Sequence, residues 1–312
     1  MKEIITVNGL EKNYKDKKVI QGMSFEVKCG EILCFLGPNG AGKSTIINIL
    51  TGTLSYDKGD IRYAGEKLKK NDKHFKQNIG VVPQDIALYE DLSAEQNLKF
   101  FASLYGLKGQ ELKERVIKSL EFSGLLNRGK EKVNTFSGGM KRRLNIACAI
   151  AHQPQILIMD EPTVGIDPQS RKHILESVKK MKEEGMTIIY TTHYMEEVEE
   201  ISTRILIMDQ GNIIATGTKE SLKEQIINSK KYSIEVDDCH KVNIDSFYQI
   251  EGVKEVSIKG NKLEITTLVS VENLDKLIGK LIDDGIRINH LTYQSESLET
   301  VFLNLTGRNL EN

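Results

Sequence analysis

The stretch Phe35–Thr45, "FLGPNGAGKST", crowds glycines ahead of a lysine and two hydroxyl residues. Gly37, Gly42, Lys43 and Ser44 fit the pattern G-x-x-x-x-G-K-[ST]. Before it, "EILCFL" (31–36) has the apolar run of a buried strand; after it, "STIINILTG" has helical spacing at Ile46, Ile49 and Leu50. A glycine loop between strand and helix lets the backbone N–H groups of Asn39, Gly40, Ala41, Gly42, Lys43, Ser44 and Thr45 converge on phosphate oxygens. The helix dipole favours negative charge at the same point. Lys43 then reaches toward terminal phosphates, and the Ser44 hydroxyl is placed to ligate a magnesium ion bridging them. A glycine-rich turn carrying a chance lysine would lack the strand before and the helix after.

Working outward, "QILIMD" (155–160), "MTIIYTT" (186–192) and "RILIMD" (204–209) are apolar on both faces, as strands of a helix-covered parallel sheet must be. One crossover helix is well marked: Asp167 caps it, Pro168 suits its first turn, Ile174, Val178 and Met181 form its apolar stripe, and Gly185 ends it. This is an α/β domain. Residues 87–152 read as an inserted helical subdomain, with Ser93 and Gln96 spaced as a capping box.

Past Gly217 the character changes. "TKESLKEQIINSKK" predicts a helix and linker (218–230) into a smaller unit, 231–312. There "YSIEV" (232–236), a helix near 243–250, a hairpin turning at Gly260–Asn261, a helix over 271–284 and "RINHLTY" give β-α-β-β-α-β, with a last helix from Ser297. That order predicts a small α+β, ferredoxin-like domain. It carries no catalytic constellation, and Asp237, Asp238 and His240 beside Cys239 lack a second ligand cluster for a metal. A regulatory or dimer-stabilising role is the expectation.

Composition bounds the possibilities. The 312 residues are 39% hydrophobic, enough for a substantial core. With 43 Lys and Arg against 44 Asp and Glu, there is no global basic field for nucleic acid or an anionic membrane. No uninterrupted apolar run approaches the ~20 residues of a spanning helix, and "MKEIITVNGLEKNYK" lacks the core of a signal peptide. A soluble, intracellular protein is expected. Cys34 and Cys148 lie in apolar segments and Cys29 and Cys239 at no metal-ligand spacing, so the thiols read as reduced.

The run "ILIMDEPT" ends a buried strand with Asp160 and Glu161. In a parallel sheet this places both acids where ligands sit, at the strand C-termini. One can hold magnesium through water; the other can orient and polarise an attacking water. Without the glycine loop, the same pair would read as a solvated exit from a strand.

With these residues in hand, the sequence resembles the nucleotide-binding subunit of an ATP-binding cassette (ABC) transporter over roughly residues 1–217. The resemblance implies a P-loop NTPase fold with an ABC-type helical subdomain and an antiparallel β-subdomain. It matches "VVPQD" to the glutamine loop, with Gln84 near magnesium and the membrane partner, and "FSGGMKRRL" to the signature with Ser137, Gly138 and Gly139. It places Asp167 of "VGID" at a dimer contact, His193 of "YTTHYMEE" at the γ-phosphate, and Tyr14 against adenine. Read on their own, Ser137 to Gly139 are a helix N-terminus, His193 a residue at a strand end, and Tyr14 a surface or packing tyrosine. Lys141–Arg143 reads as a solvated helix face rather than a nucleic-acid patch.

The signature departs from the family pattern at Phe136, where leucine is usual, and at Met140, where glutamine is usual. Together with "YTTHYMEEVE" and "SLETVFLNLTGR", it looks most like the bacterial drug, antibiotic or ion exporters whose permease is a separate chain. The resemblance therefore implies ATP and Mg²⁺ as ligands, a homodimer closed through ATP, a separate integral-membrane permease, no nucleic acid, and a cytoplasmic protein peripheral on the inner face of the membrane. The alternative is a soluble cassette ATPase clamping ribosome or nucleic acid. A single cassette without a long heptad insertion counts against it, and a kinase or GTPase would have no task for the signature and His193.

Overall fold

The computed structural model describes residues 2–15, 17–69, 71–226, 229–294 and 298–307. The chain divides into two compact units, one ending at Lys219 and the other beginning at Glu220. In the first, β1 (Glu3–Tyr14), β2 (Lys17–Lys28), β3 (Ile32–Leu36), α1 (Lys43–Leu50), β4 (Lys58–Tyr63), β5 (Glu66–Lys67), α2 (Lys73–Asn78) and β6 (Ile79–Val82) are followed by three longer helices. These are α3 (Ala94–Leu104), α4 (Gly109–Phe122) and α5 (Gly138–Ile150). The chain then runs through β7 (Ile156–Asp160), α6 (Pro168–Glu183), β8 (Thr187–Thr192), α7 (Met195–Ile201), β9 (Arg204–Asp209) and β10 (Asn212–Gly217).

The central sheet has the order β10-β9-β3-β8-β7-β6, parallel from β9 to β6, with β10 antiparallel at its edge. Every residue of β3, β7 and β8 is buried, which is why these runs are apolar without alternation. A second, antiparallel sheet, β2-β1-β4-β5, closes over α1. Val7, Leu10 and Ile20 from that sheet share one core with Ile46 and Leu50 of α1 and Leu33, Phe35, Ile158 and Ile189 of the parallel sheet. Each such side chain contributes about 1.5–3 kcal/mol by leaving water.

The helical insert has its own core, in which Leu98, Leu120, Phe136 and Leu144 meet. Its entry is fixed by the capping box: Ser93 Oγ accepts from Gln96 N at 3.2 Å, and Gln96 Oε1 accepts from Ser93 N at 2.8 Å. α6 starts as the sequence predicts, Asp167 accepting from Ser170 N at 2.9 Å, and it buries Ile174, Val178 and Met181.

The second unit contains most of α8 (Lys219–Ile226), then β11 (Ser229–Val236), α9 (Ile244–Phe247), β12 (Val253–Lys259), β13 (Lys262–Leu268), α10 (Leu274–Asp283), β14 (Ile288–Gln294) and α11 (Leu298–Thr306). Its sheet order, β12-β13-β11-β14 with every neighbour antiparallel, is that of a ferredoxin-like domain. β11 starts at Ser229, ahead of the expected Tyr232, because its first residues find partners in Leu268, Thr267 and Thr266. Gly260, with φ of 61°, turns the hairpin at the predicted place. Tyr232, Ile234 and Val236 alternate inward onto Phe247, Leu277 and Leu281. Ser297 and the side chain of His240 lie outside the described residues.

All four cysteines are free. Cys34, Cys148 and Cys239 are buried, and burial pushes the Cys34 and Cys148 thiols up, out of the reactive range. No helix among the described residues is long and apolar enough to cross a membrane.

Candidate nucleotide site

Register builds the site. Parallel pairing sets Phe35 opposite Thr191, and Thr191 opposite Asp160, so the ends of β3, β8 and β7 lie side by side. The glycine loop leaves β3 through Gly37, where a Cβ would lie 2.3 Å from Met208 O. No larger residue passes there. The loop enters α1 at Gly42, whose φ of 104° is a left-handed conformation that glycine adopts without strain.

Lys43 is only 4% exposed. Its Nζ donates to Gly37 O at 2.7 Å and Pro38 O at 3.2 Å and stands 3.1 Å from Glu161 Oε1. The cation is thus held along its own loop and against an acid from β7's end. Ser44 Oγ donates to Asp160 Oδ1 at 3.3 Å, and Thr191 Oγ1 donates to the same oxygen at 2.6 Å. Glu161 has φ of 42°, unusual for a residue with a side chain. Its N–H is held by Thr191 Oγ1 at 2.9 Å and Thr191 O at 3.2 Å. His193 Nδ1 stands 3.3 Å from Glu161 Oε2, within ion-pair distance but without hydrogen-bond alignment.

A cleft of about 680 Å³ opens over these groups, lined by Tyr14, Asn39, Gly40, Gly42, Lys43, Ser44, Thr45, Gln84 and Glu161 among others. Gly37, Asp160 and His193 do not line the cleft but meet residues that do, Lys43, Ser44 and Glu161 respectively, and Ala41 is buried within the loop. Tyr14 ends β1 at the cleft edge, 48% exposed, with Lys12 Nζ 5.7 Å from its ring centroid. A larger cleft of about 920 Å³ lies by Gln155 and Thr187, at the opposite ends of β7 and β8, and none of the expected site residues lines it.

Ser137, Gly138, Gly139 and Asp167 do not line the nucleotide cleft. They form a second group: Ser137 caps α5 by accepting from Met140 N at 3.3 Å, and a Cβ on Gly139 would lie 3.1 Å from Asp167 Oδ2. The N-terminal ends of α5 and α6 therefore share one surface. The Ser170 N–H holds the exposed Asp167 carboxyl below its ordinary range. The two departures in the signature have a common partner. Arg128 lies 5.5 Å over the Phe136 ring and donates from Nη1 to Met140 Sδ at 3.4 Å.

One expectation fails. Lys141–Arg143 is not a solvated face: Arg142 is 3% exposed and donates to Pro83 O at 2.7 Å and to Gln84 O. Arg143 donates to Ser123 O at 2.6 Å, and Lys141 pairs with Glu90 at 2.6 Å. The chain segment bearing Gln84 comes after β6, and its Pro83 and Gln84 carbonyls draw the guanidinium inward. Sequence reasoning also passed over Thr191, whose hydroxyl joins both acids. Its signal was present in the polar "TT" closing an otherwise apolar strand.

A phosphate-binding loop on a parallel sheet, with adjacent acids and a histidine at the neighbouring strand ends, defines a P-loop nucleoside triphosphatase. The ABC transporter family profile matches residues 20–164. The chain is 44% identical over 311 residues to the linearmycin resistance ATP-binding protein LnrL of Bacillus subtilis (strain 168), covering 98% of this chain and 99% of that protein. It is 37% identical over 309 residues to the Nod factor export ATP-binding protein I of Burkholderia orbicola (strain AU 1054), covering 98% of each. Among solved structures, a dimeric post-hydrolysis state of the ATP-binding cassette MJ0796, bound to ADP and Pi, superposes with a TM-score of 0.63 at 26% identity, over 69% of this chain and 98% of that one. The chain belongs to the ABC transporter family, as an ATP-binding and ATP-hydrolysing subunit of the export type. A ribosome or nucleic-acid clamp is not favoured by these relatives.

Proposed function

We propose that residues 1–217 form a nucleotide-binding domain that pairs with a second copy around ATP, lies peripherally on the cytoplasmic face of the membrane, and drives export through a separate permease. The observation that carries this reading is the contact cluster of Lys43, Ser44, Asp160, Glu161 and His193, of which Lys43, Ser44 and Glu161 line one cleft. The backbone from Asn39 to Thr45 cradles the phosphates, Lys43 neutralises the terminal ones, and Tyr14 stacks on the base. Glu161 polarises the water that attacks the γ-phosphorus as the bond to the β-phosphate oxygen breaks, and His193 steadies the transferred group.

Ser44 Oγ, the Asp160 carboxylate and the Gln84 amide are hard oxygen donors that fit Mg²⁺, and the Ser44–Asp160 contact brings two of them together. When bound, the ion neutralises charge on the β- and γ-phosphates. Ser137, Gly138, Gly139 and Asp167 lie apart from the cleft and present a helix N-terminus. That separation supports their use by a partner copy's ATP, which makes the nucleotide part of the dimer interface. Residues 218–230 serve as a linker, and 231–312 as an accessory domain that stabilises or regulates the pair. Deleting 225–312 should alter dimerisation, ATPase rate or transport; no change in any of them contradicts the accessory role.

The test is recovery of tagged Glu161→Gln protein from detergent-solubilised membranes with ATP and Mg²⁺. A polytopic permease as the dominant partner is expected. Ribosomes, nucleic acid or recovery from the soluble fraction alone would overturn the transporter assignment while leaving the ATPase chemistry intact.

A further inference from the structure

Glu197 lies on α7, 1% exposed, and gathers three hydroxyl donors and a guanidinium. Thr163 Oγ1 donates to its Oε1 at 2.5 Å, and Tyr190 and Thr192 donate to Oε2 at 3.0 and 2.8 Å. Arg171 Nε approaches Oε1 at 3.7 Å. A buried carboxylate is costly unless such partners satisfy it, so this cluster forms as a unit.

Its partners come from the segments that carry Glu161, His193 and Asp167. Thr163 follows Glu161 by two positions; Thr192 precedes His193; Arg171 is in the first turns of α6, the helix that Asp167 caps. Thr192 Oγ1 also accepts the Tyr194 N–H at 2.9 Å, and the Arg171 guanidinium lies 4.7 Å over the Tyr194 ring. The Tyr194 ring is in turn 4.2 Å from that of His193. Among the described residues, no hydrogen bond fixes the His193 Nδ1. Its backbone is therefore held from both sides through Glu197.

We infer that Glu197 is a positioning residue for hydrolysis: one buried carboxylate sets the placement of Glu161, His193 and the Asp167 end of α6 relative to one another. It touches none of the reacting atoms. Its effect falls on turnover, because misplacing a catalytic group by an ångström costs rate while phosphate binding by the glycine loop persists. Glu197→Gln keeps the shape but turns one acceptor into a donor facing hydroxyls that need an acceptor.

This inference rests on the proposed roles of Glu161 and His193, and the experiment separates the two. Single-turnover phosphate release and ATP affinity are measured on the full chain for Glu197→Gln, His193→Ala and the double variant, with thermal melts as the folding control. The expected result is a fall in rate of about 10–100-fold for Glu197→Gln with ATP affinity changed less than about twofold. The double variant should lose less than the product of the two single losses, since part of the Glu197 effect passes through His193. Should Glu197→Gln not fold, Tyr190→Phe and Thr192→Val, each removing one donor, carry the same comparison. A wild-type rate in Glu197→Gln, or losses that multiply in the double variant, overturns the positioning role alone. A wild-type rate in His193→Ala overturns the site reading and this inference with it.

Discussion

Thr191 holds Glu161 twice, its hydroxyl and its carbonyl both accepting the Glu161 N–H, at 2.9 and 3.2 Å. The same hydroxyl donates to Asp160 Oδ1 at 2.6 Å. One side chain on β8 therefore aligns both acids at the end of β7 and stabilises the left-handed backbone at Glu161. Thr191→Val retains the shape and removes the two hydroxyl bonds, leaving the carbonyl one. It should cost about 1–3 kcal/mol in a urea titration and about tenfold or more in ATPase rate. A variant with wild-type stability and rate would deny Thr191 this part.

Lys43 and Glu161 are paired at 3.1 Å, yet their proposed tasks differ, so their variants should separate. Glu161→Gln leaves Lys43 its two carbonyl acceptors, Gly37 O and Pro38 O. ATP binding should persist while turnover drops by about 10²-fold or more. Lys43→Ala should weaken nucleotide binding itself. Equilibrium binding of a fluorescent ATP analogue, read beside steady-state hydrolysis, distinguishes the two.

Arg142 connects α5 to the segment carrying Gln84 through Pro83 O and Gln84 O. Burial pulls its ionisation below the usual arginine range while Asp85 opposes that shift, so the charge is retained at a desolvation cost. Arg142→Met strands both carbonyls and should destabilise the protein by about 2 kcal/mol or more. A melting temperature equal to wild type would show that the carbonyls find other partners.

His152 stacks on Tyr105 with ring centroids 3.5 Å apart, and its Nε2 is 3.1 Å from Ile79 O. Burial lowers its ionisation from 6.5 to about 4. Below 6.5 the unfolded chain takes up a proton that the folded one refuses, so stability is full above 6.5 and is lost as pH falls toward 4. His152→Phe preserves the ring stack and removes the titration. Its stability should fall less than wild type across that window, measured by denaturant midpoints at each pH.

The sequence made legible those features whose partners are near in the chain. The glycine loop announces itself in consecutive residues, and Asp167 and the Ser93–Gln96 box cap helices within a single turn. The ferredoxin-like unit was readable because β11 and β13 alternate cleanly and Gly260 marks the turn. Features that depend on distant register were not. Thr191 matters because β8 lies between β3 and β7, an order no local pattern declares. Glu197 sits in "MEEVEE" among solvated acids, and only the close approach of Thr163, Tyr190 and Thr192 singles it out. Arg142 looked like part of a charged face because its acceptors, Pro83 O and Gln84 O, are brought to it by the fold of the helical insert.

The most direct measurement is the mass of purified Glu161→Gln protein by size exclusion with light scattering, with and without ATP and Mg²⁺. The account predicts a monomer that becomes a dimer when ATP is added, and loss of that dimer when Ser137 is replaced by a bulky residue in the same background. A protein that hydrolyses ATP at the wild-type rate despite Glu161→Gln, or whose mass does not change with ATP, would contradict the claim that two copies close on nucleotide to drive transport.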